Sequence, residues 1–180
     1  MAQSLTNVVD ELPLIIPAAH PYETAAPHNG HIVYRQSAEQ VNRDAVRSVI
    51  NRSLDERLVS YYFDNKHDTR FYLAEDHLGV GVLQGIYVDI LGVEPSKRTN
   101  GMGSAIMNAM MEDTQGRFVL RSQPIAKREK ANEWYSKLAK LIGGVINVDG
   151  INYNVYAKGM PESENPHWLS VAREKPKNFE

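Results

Sequence analysis

The residues with the most legible chemistry lie in the run Val93-Glu94-Pro95-Ser96-Lys97-Arg98-Thr99-Asn100-Gly101-Met102-Gly103-Ser104. The run leaves a strand pattern, turns, and opens a helix pattern. A helix N-terminus presents unpaired N–H groups and about half a unit of positive charge, a combination that favours a phosphate. Gly101 and Gly103 lack the Cβ atoms that would hold a backbone away from such a ligand, Arg98 adds a charge-assisted donor, and Ser104 adds a hydroxyl. The same residues also describe a plain strand–turn–helix joint whose glycines serve packing. Tyr87, Asp89, Leu91 and Val93 share one strand face by period two. Asp89 is there either as an acid–base group or as the partner of a basic side chain, and Glu75 and Asp76 are further carboxylates near a strand end. His20, His28, His31, His67, His77 and His167 have no ligand spacing, so no metal site is expected. There is no cysteine and no Gly-x-Ser-x-Gly elbow, which leaves few acyl-transfer nucleophiles.

These groups need rigid elements behind them. Hydrophobic periodicity predicts a strand over 31–35, then a helix over 38–52 with Val41, Ala45, Val49 and Ile50 on one side. A shorter helical stretch covers 54–62, and strands cover 70–75, 78–83 and 87–93, with a tight hairpin at Asp76-His77 and a turn at Gly85. A helix over 102–113 carries the stripe Met102, Ala105, Ile106, Ala109, Met110. A strand over 118–122 follows, then a helix over 127–142 with Ala131, Trp134, Tyr135, Leu138 and Ile142 facing one way. Strands over 145–148 and 153–157 pair across Asp149-Gly150, a strong hairpin signal. The order β-α-α-β-β-β-α-β-α-β-β predicts an α/β chain around a mixed sheet. Seven of the nine prolines fall in 1–27 or 161–180. Because proline interrupts both regular backbones, residues 1–30 read as a mostly irregular N-terminal arm, 31–160 as one domain, and 161–180 as a C-terminal tail.

Composition bounds the class. The 180 residues are 42% hydrophobic and 23% charged with a net charge of −2, which excludes a wholly disordered, collagenous or coiled-coil chain. No apolar run approaches the ~18 residues of a membrane helix, and no basic residue precedes the apolar stretch 12–19 as in a signal peptide. Together with the absence of cysteine, this predicts a cytoplasmic protein, with a secreted effector as the alternative. Residues 55–94 hold eight acids against three bases, and residues 95–140 hold nine bases against four acids. The basic segment suits a phosphate-bearing ligand and the acidic one a cationic amine, unless both are scattered solvated charge.

Two motifs in order carry a family resemblance. The spacing Val-x-Pro-x-x-Arg-x-x-Gly-x-Gly-Ser resembles the acetyl-CoA pyrophosphate loop of the GNAT superfamily of N-acetyltransferases. Ala131-Asn132-Glu133-Trp134-Tyr135-Ser136-Lys137-Leu138 resembles that family's second signature, and the element order over 31–158 is similar, including the opening Ile32 to Arg35 strand. The resemblance implies a mixed, centrally splayed β-sheet flanked by helices. It implies acetyl-CoA as co-substrate, no metal, and direct attack by a primary amine, either a protein lysine or N-terminus or a small molecule. Leu91 and Val93 would then offer backbone groups to the thioester carbonyl, and Arg98, Thr99, Asn100, Gly101, Met102, Gly103 and Ser104 would take the pyrophosphate. Ala131 opens the second signature, and Arg128 stands where many relatives carry Asn, seven residues before the tyrosine; both fall on the cofactor side. Tyr135 matches the acid for the departing thiolate, and its plain reading is a core aromatic. Asp89, four residues before Val93, matches the base, acting through a water. Ala139 in place of the usual Gly, and the arm before residue 31, depart from the pattern.

The basic run 127–140, with Trp134 and Tyr135 interleaved, is also a candidate RNA surface. An aminoacyl-tRNA-acetylating toxin and a non-catalytic CoA-binding module are therefore the alternatives. No membrane partner is expected, and the sequence sets no oligomeric state, a dimer being one arrangement.

Overall fold

Alternation along the middle of the chain builds an antiparallel meander. The structure, a computed structural model, describes residues 21–22, 30–49, 62–63, 68–75, 78–93 and 101–175. They fall into two units. The first takes the described residues up to Gln84 together with Ile90–Met110; the second takes Gly85–Asp89 and everything from Met111 on.

In the first unit, β2 (Val33–Ser37), β3 (Thr69–Ala74) and β4 (Gly79–Gln84) pair antiparallel, with Val33 opposite Ala74 and Leu73 opposite Val80. Two arm residues, β1 (Pro21–Tyr22), add an edge strand opposite Val33 and Tyr34. Phe71, Leu73, Val80 and Val82 point to one face and bury with Val41, Val46 and Tyr62; Val46 comes from α1 (Arg43–Val49). On the other face, Gly79 and Gly81 let α2 (Met102–Asp113) lie directly on the strand. A Cβ at Gly79 would come within 2.8 Å of Ile106 Cδ1, and one at Gly81 within 2.7 Å of Ile106 Cγ2. The short-helix expectation over 54–62, except its last residue Tyr62, and the Asp76-His77 hairpin lie outside the described residues.

β5 (Tyr87–Val93) belongs to both units. Neighbour order is β1-β2-β3-β4-β5 in the first; in the second, β5 is followed by β6 (Phe118–Ser122), then β8 (Ile151–Lys158), then β7 (Lys140–Val148). In the second unit, β6 (Phe118–Ser122) runs parallel to β5, and the ladder has one rung, Tyr87 opposite Val119. The sheet is thus mixed, as expected. α3 spans Glu129–Leu138 after a 3₁₀ turn at Ala126–Arg128. The sequence expectation of helix to residue 142 is corrected here. Ala139 is extended and β7 (Lys140–Val148) has begun, with Ile142 opposite Val155 of β8 (Ile151–Lys158). Ladder pairing of the apolar, β-branched stretch outweighs the helical stripe. Asp149 and Gly150, at φ 51° and 87°, form the expected two-residue hairpin turn.

The tail carries a helix. α4 (Asn165–Glu174) carries Pro166 in its first turn, where a missing N–H is tolerated. Its Ala172 is fully buried and Leu169 packs with it, in a cluster with Tyr87, Val119, Ile142 and Val155.

Candidate active site

In the first unit, β5 ends at Val93, and residues 94–100 lie outside the described residues, taking Arg98, Thr99 and Asn100 with them. The chain resumes at Gly101, whose φ of 92° belongs to the left-handed region that L side chains avoid. The carbonyl of Gly101 accepts from the Ala105 N–H at 2.9 Å, the first helical bond of α2. The N–H groups of Met102, Gly103 and Ser104 thus precede the first intrahelical donor, and no acidic residue stands in that turn. A Cβ at Gly103 would meet only Val93 Cγ2 at 3.8 Å among the described residues, an ordinary contact. Among the described residues, close packing accounts for Gly79 and Gly81, while Gly103 has only that ordinary contact. Leu91 and Val93 are half-buried beside this turn in sequence, and Met102 is buried.

In the second unit, Tyr135 is half-buried on α3, one turn after Ala131. Its ring lies 5.5 Å from that of Trp134 and 5.8 Å from that of Tyr156. Burial pushes its phenol up, with Arg128 opposing and Tyr156 adding to the rise. Asn132 pins this corner. Its amide donates to the carbonyls of Gln123 and Arg128 at 2.9 and 3.0 Å, and the Tyr156 hydroxyl donates to its Oδ1 at 3.1 Å. Asn132 was not singled out from sequence, because its partners lie on other elements.

Asp89 is also in the second unit, buried on β5 with its carboxylate 3.4 Å from the Lys175 ammonium. Of its two sequence readings, the pairing with a basic side chain is present. Burial raises its pKa to about 7, against the lowering effects of Lys175 and Arg121. The Lys175 ammonium sits 4.7 Å from the Tyr87 ring centre, and the Arg121 guanidinium 4.3 Å from that of Tyr153. Arg121 Nη1 donates to the carbonyls of Ala172 and Lys175 at 2.5 and 3.1 Å, tying β6 to the end of α4. The hydroxyls of Tyr87 and Tyr153 are buried with no hydrogen-bond partner among the described residues, and burial pushes the Tyr87 phenol far up. No sequence signal marked Lys175, whose partner is 86 positions away.

Glu75 is otherwise engaged. Its two oxygens take His31 Nδ1 at 3.1 Å and the Ile32 N–H at 2.9 Å, fixing the entry to β2. Asp76 lies outside the described residues. The structure thus groups Val93 with Gly101 to Ser104, groups Arg128 and Ala131 with Tyr135, and sets Asp89 on Lys175.

This architecture has known counterparts. The chain is similar to a structure from Desulfovibrio desulfuricans described as a putative acetyltransferase of the GNAT family, at TM-score 0.58 and 16% identity over 71% of this chain and 98% of that one. It is similar to a structure from Corynebacterium glutamicum described as histone acetyltransferase HPA2 and related acetyltransferase, at TM-score 0.53 and 14% identity, covering 71% and 97%. It also resembles a chain of the NatC complex bound to Gag peptide and CoA, at TM-score 0.51 and 10% identity, covering 72% and 99%. No family model and no curated protein matches the sequence. The chain has the GNAT acyl-CoA N-acyltransferase fold.

Proposed function

We propose that this protein is an acetyl-CoA-dependent N-acetyltransferase that moves an acetyl group to a primary amine. The observation that carries the reading is the joint from Gly101 into α2 on a GNAT fold, where a Cβ at Gly103 would meet, among the described residues, only Val93 Cγ2 at 3.8 Å. The first-turn N–H groups of Gly103 and Ser104, with Arg98, would hold the pyrophosphate, and Leu91 and Val93 would line the acyl arm. Acetyl-CoA, when bound, supplies a thioester carbonyl activated for attack. Asp89 takes the proton from the acceptor ammonium, directly or through a water. With the carboxyl at about 7 and an alkylammonium near ~10.4, that transfer is uphill by about 5 kcal/mol. It fits within the ~16 kcal/mol barrier that corresponds to about ten turnovers per second. Tyr135, raised by burial, keeps its proton at every working pH. Against a thiol near ~8.5, outright release of that proton is uphill by at least ~2 kcal/mol, so Tyr135 acts as a hydrogen-bond donor to the departing sulfur.

Isothermal titration of acetyl-CoA into the wild type and Gly103→Val tests the reading. Binding by the wild type and its loss in the variant are expected. Equal affinity in the two would remove the cradle, and no binding by either would remove the function.

A further inference from the structure

Beyond the rung of Tyr87 and Val119, the next residues on the same side of β5 and β6 are Asp89 and Arg121. Residue 175 spans them. Its ammonium is on Asp89 and over the Tyr87 ring, while its carbonyl accepts from Arg121. The Lys175 side chain is 12% exposed and that of Asp89 3%, so this ion pair is enclosed rather than solvated. A carboxylate at the tip and an aromatic face beside it form the arrangement that holds an alkylammonium. It stands on the group that the proposed chemistry has accept an ammonium proton, at the point where the two strands stop pairing.

We infer that Asp89 and Tyr87 form the acceptor site for a primary alkylammonium and that Lys175, at the end of α4, occupies it in cis and competes with the external amine. The inference names the substrate class and its regulation, and it rests on the acetyl-transfer reading for the word acceptor. Arg121 holds the backbone carbonyls of Ala172 and Lys175. The four-carbon lysine stem can therefore swing out while the helix end stays anchored. If Lys175 fills the site about 90–99% of the time, an external amine sees its affinity lowered roughly 10–100-fold.

The test uses the full chain, n-butylamine as probe, and two variants. Lys175→Ala empties the site; Lys175→Gln removes the charge but keeps a donor for Asp89, and serves if the alanine variant does not fold. At ten times the variants' Kd, n-butylammonium should raise the melting temperature of the variants by about 3–6 °C and that of the wild type by less than about 2 °C. Neutral n-butanol should do nothing to any of them. In transfer assays, the KM for n-butylamine should fall at least ~10-fold from wild type to Lys175→Gln, with acetyl-CoA affinity unchanged. Folded variants that n-butylammonium does not stabilise, or an unchanged KM, would overturn the inference. Failure of the wild type to bind acetyl-CoA would instead sink the acetyl-transfer reading, and the melting measurement would still decide the ammonium site.

Discussion

Replacing Asp89 by Asn keeps the shape of a buried side chain and deletes its titration. Burial raises the Asp89 carboxyl from its ordinary 3.8 to about 7, although the Lys175 ammonium and the Arg121 guanidinium oppose the rise. A folded-state pKa above the unfolded one means that the native state binds the proton more tightly. The stability this provides is fully present below about pH 4 and is lost as pH rises through about 7. Between pH 5 and pH 8, the wild type should lose about 3 kcal/mol through this group alone. For a chain of this size, that is roughly 6–12 °C in melting temperature. Urea unfolding of both proteins across that range, subtracting the Asn variant from the wild type at each pH, isolates the effect from all other titrating groups. Two curves that run parallel within ~0.5 kcal/mol would show that Asp89 is solvated or more strongly stabilised as the anion. The elevation of the Asp89 carboxyl to about 7 would then be wrong.

Other consequences are equally direct. Tyr135→Phe keeps the ring against Trp134 and Tyr156, so thiol-release turnover should fall about 10²–10³-fold with an unchanged melting temperature; full turnover would remove Tyr135 from the chemistry. Arg98→Ala should weaken acetyl-CoA binding by about 1.5–3 kcal/mol in calorimetry, and wild-type affinity would take Arg98 out of the cradle. Deleting residues 161–180 removes buried Ala172 and both carbonyls held by Arg121. The product should be aggregated or molten, and a cooperative melt at the wild-type temperature would contradict the role given to α4. Gly143→Ala would force a side chain onto φ 60° with Leu169 Cδ1 only 2.7 Å from its Cβ, so a loss of about 1–3 kcal/mol is expected in urea unfolding.

The parts of this fold legible in the sequence are those decided by local rules. Residues 87–93, 102–113 and 118–122 form the expected elements with the expected bounds, because a clean period is cut at each end by turn residues or a change of pattern. Asp149-Gly150 is similarly local. Errors arose where distant partners decide. The stripe continuing to Ile142 favours helix until β8 offers a ladder. Within the tail over 161–180, Pro166 begins a helix rather than interrupting one. The glycines of the cradle stand out in the sequence, yet Gly79 and Gly81, no less constrained, do not, since their constraint is α2 lying on top of them.

β5 shows why the two halves of the proposed chemistry were unequally legible. Tyr87, Val88 and Asp89 are buried, and from Ile90 to Val93 the strand is half-buried. Period two puts Tyr87, Asp89, Leu91 and Val93 on one face, but alternation cannot show that burial changes along that face. The half-buried end leads into a loop whose spacing is a local motif, so its phosphate chemistry can be read directly. The buried end holds a carboxylate, and a carboxylate removed from water needs a cation. That need is predictable from burial alone; which cation meets it is not. Nine basic residues lie in 95–140, and any of them was a reasonable candidate by charge. The fold chooses Lys175 instead, because Arg121 fixes the end of α4 beside the point where β5 and β6 part. The amine side of the site is therefore a property of the second unit's topology, and the phosphate side is a property of a dozen consecutive residues.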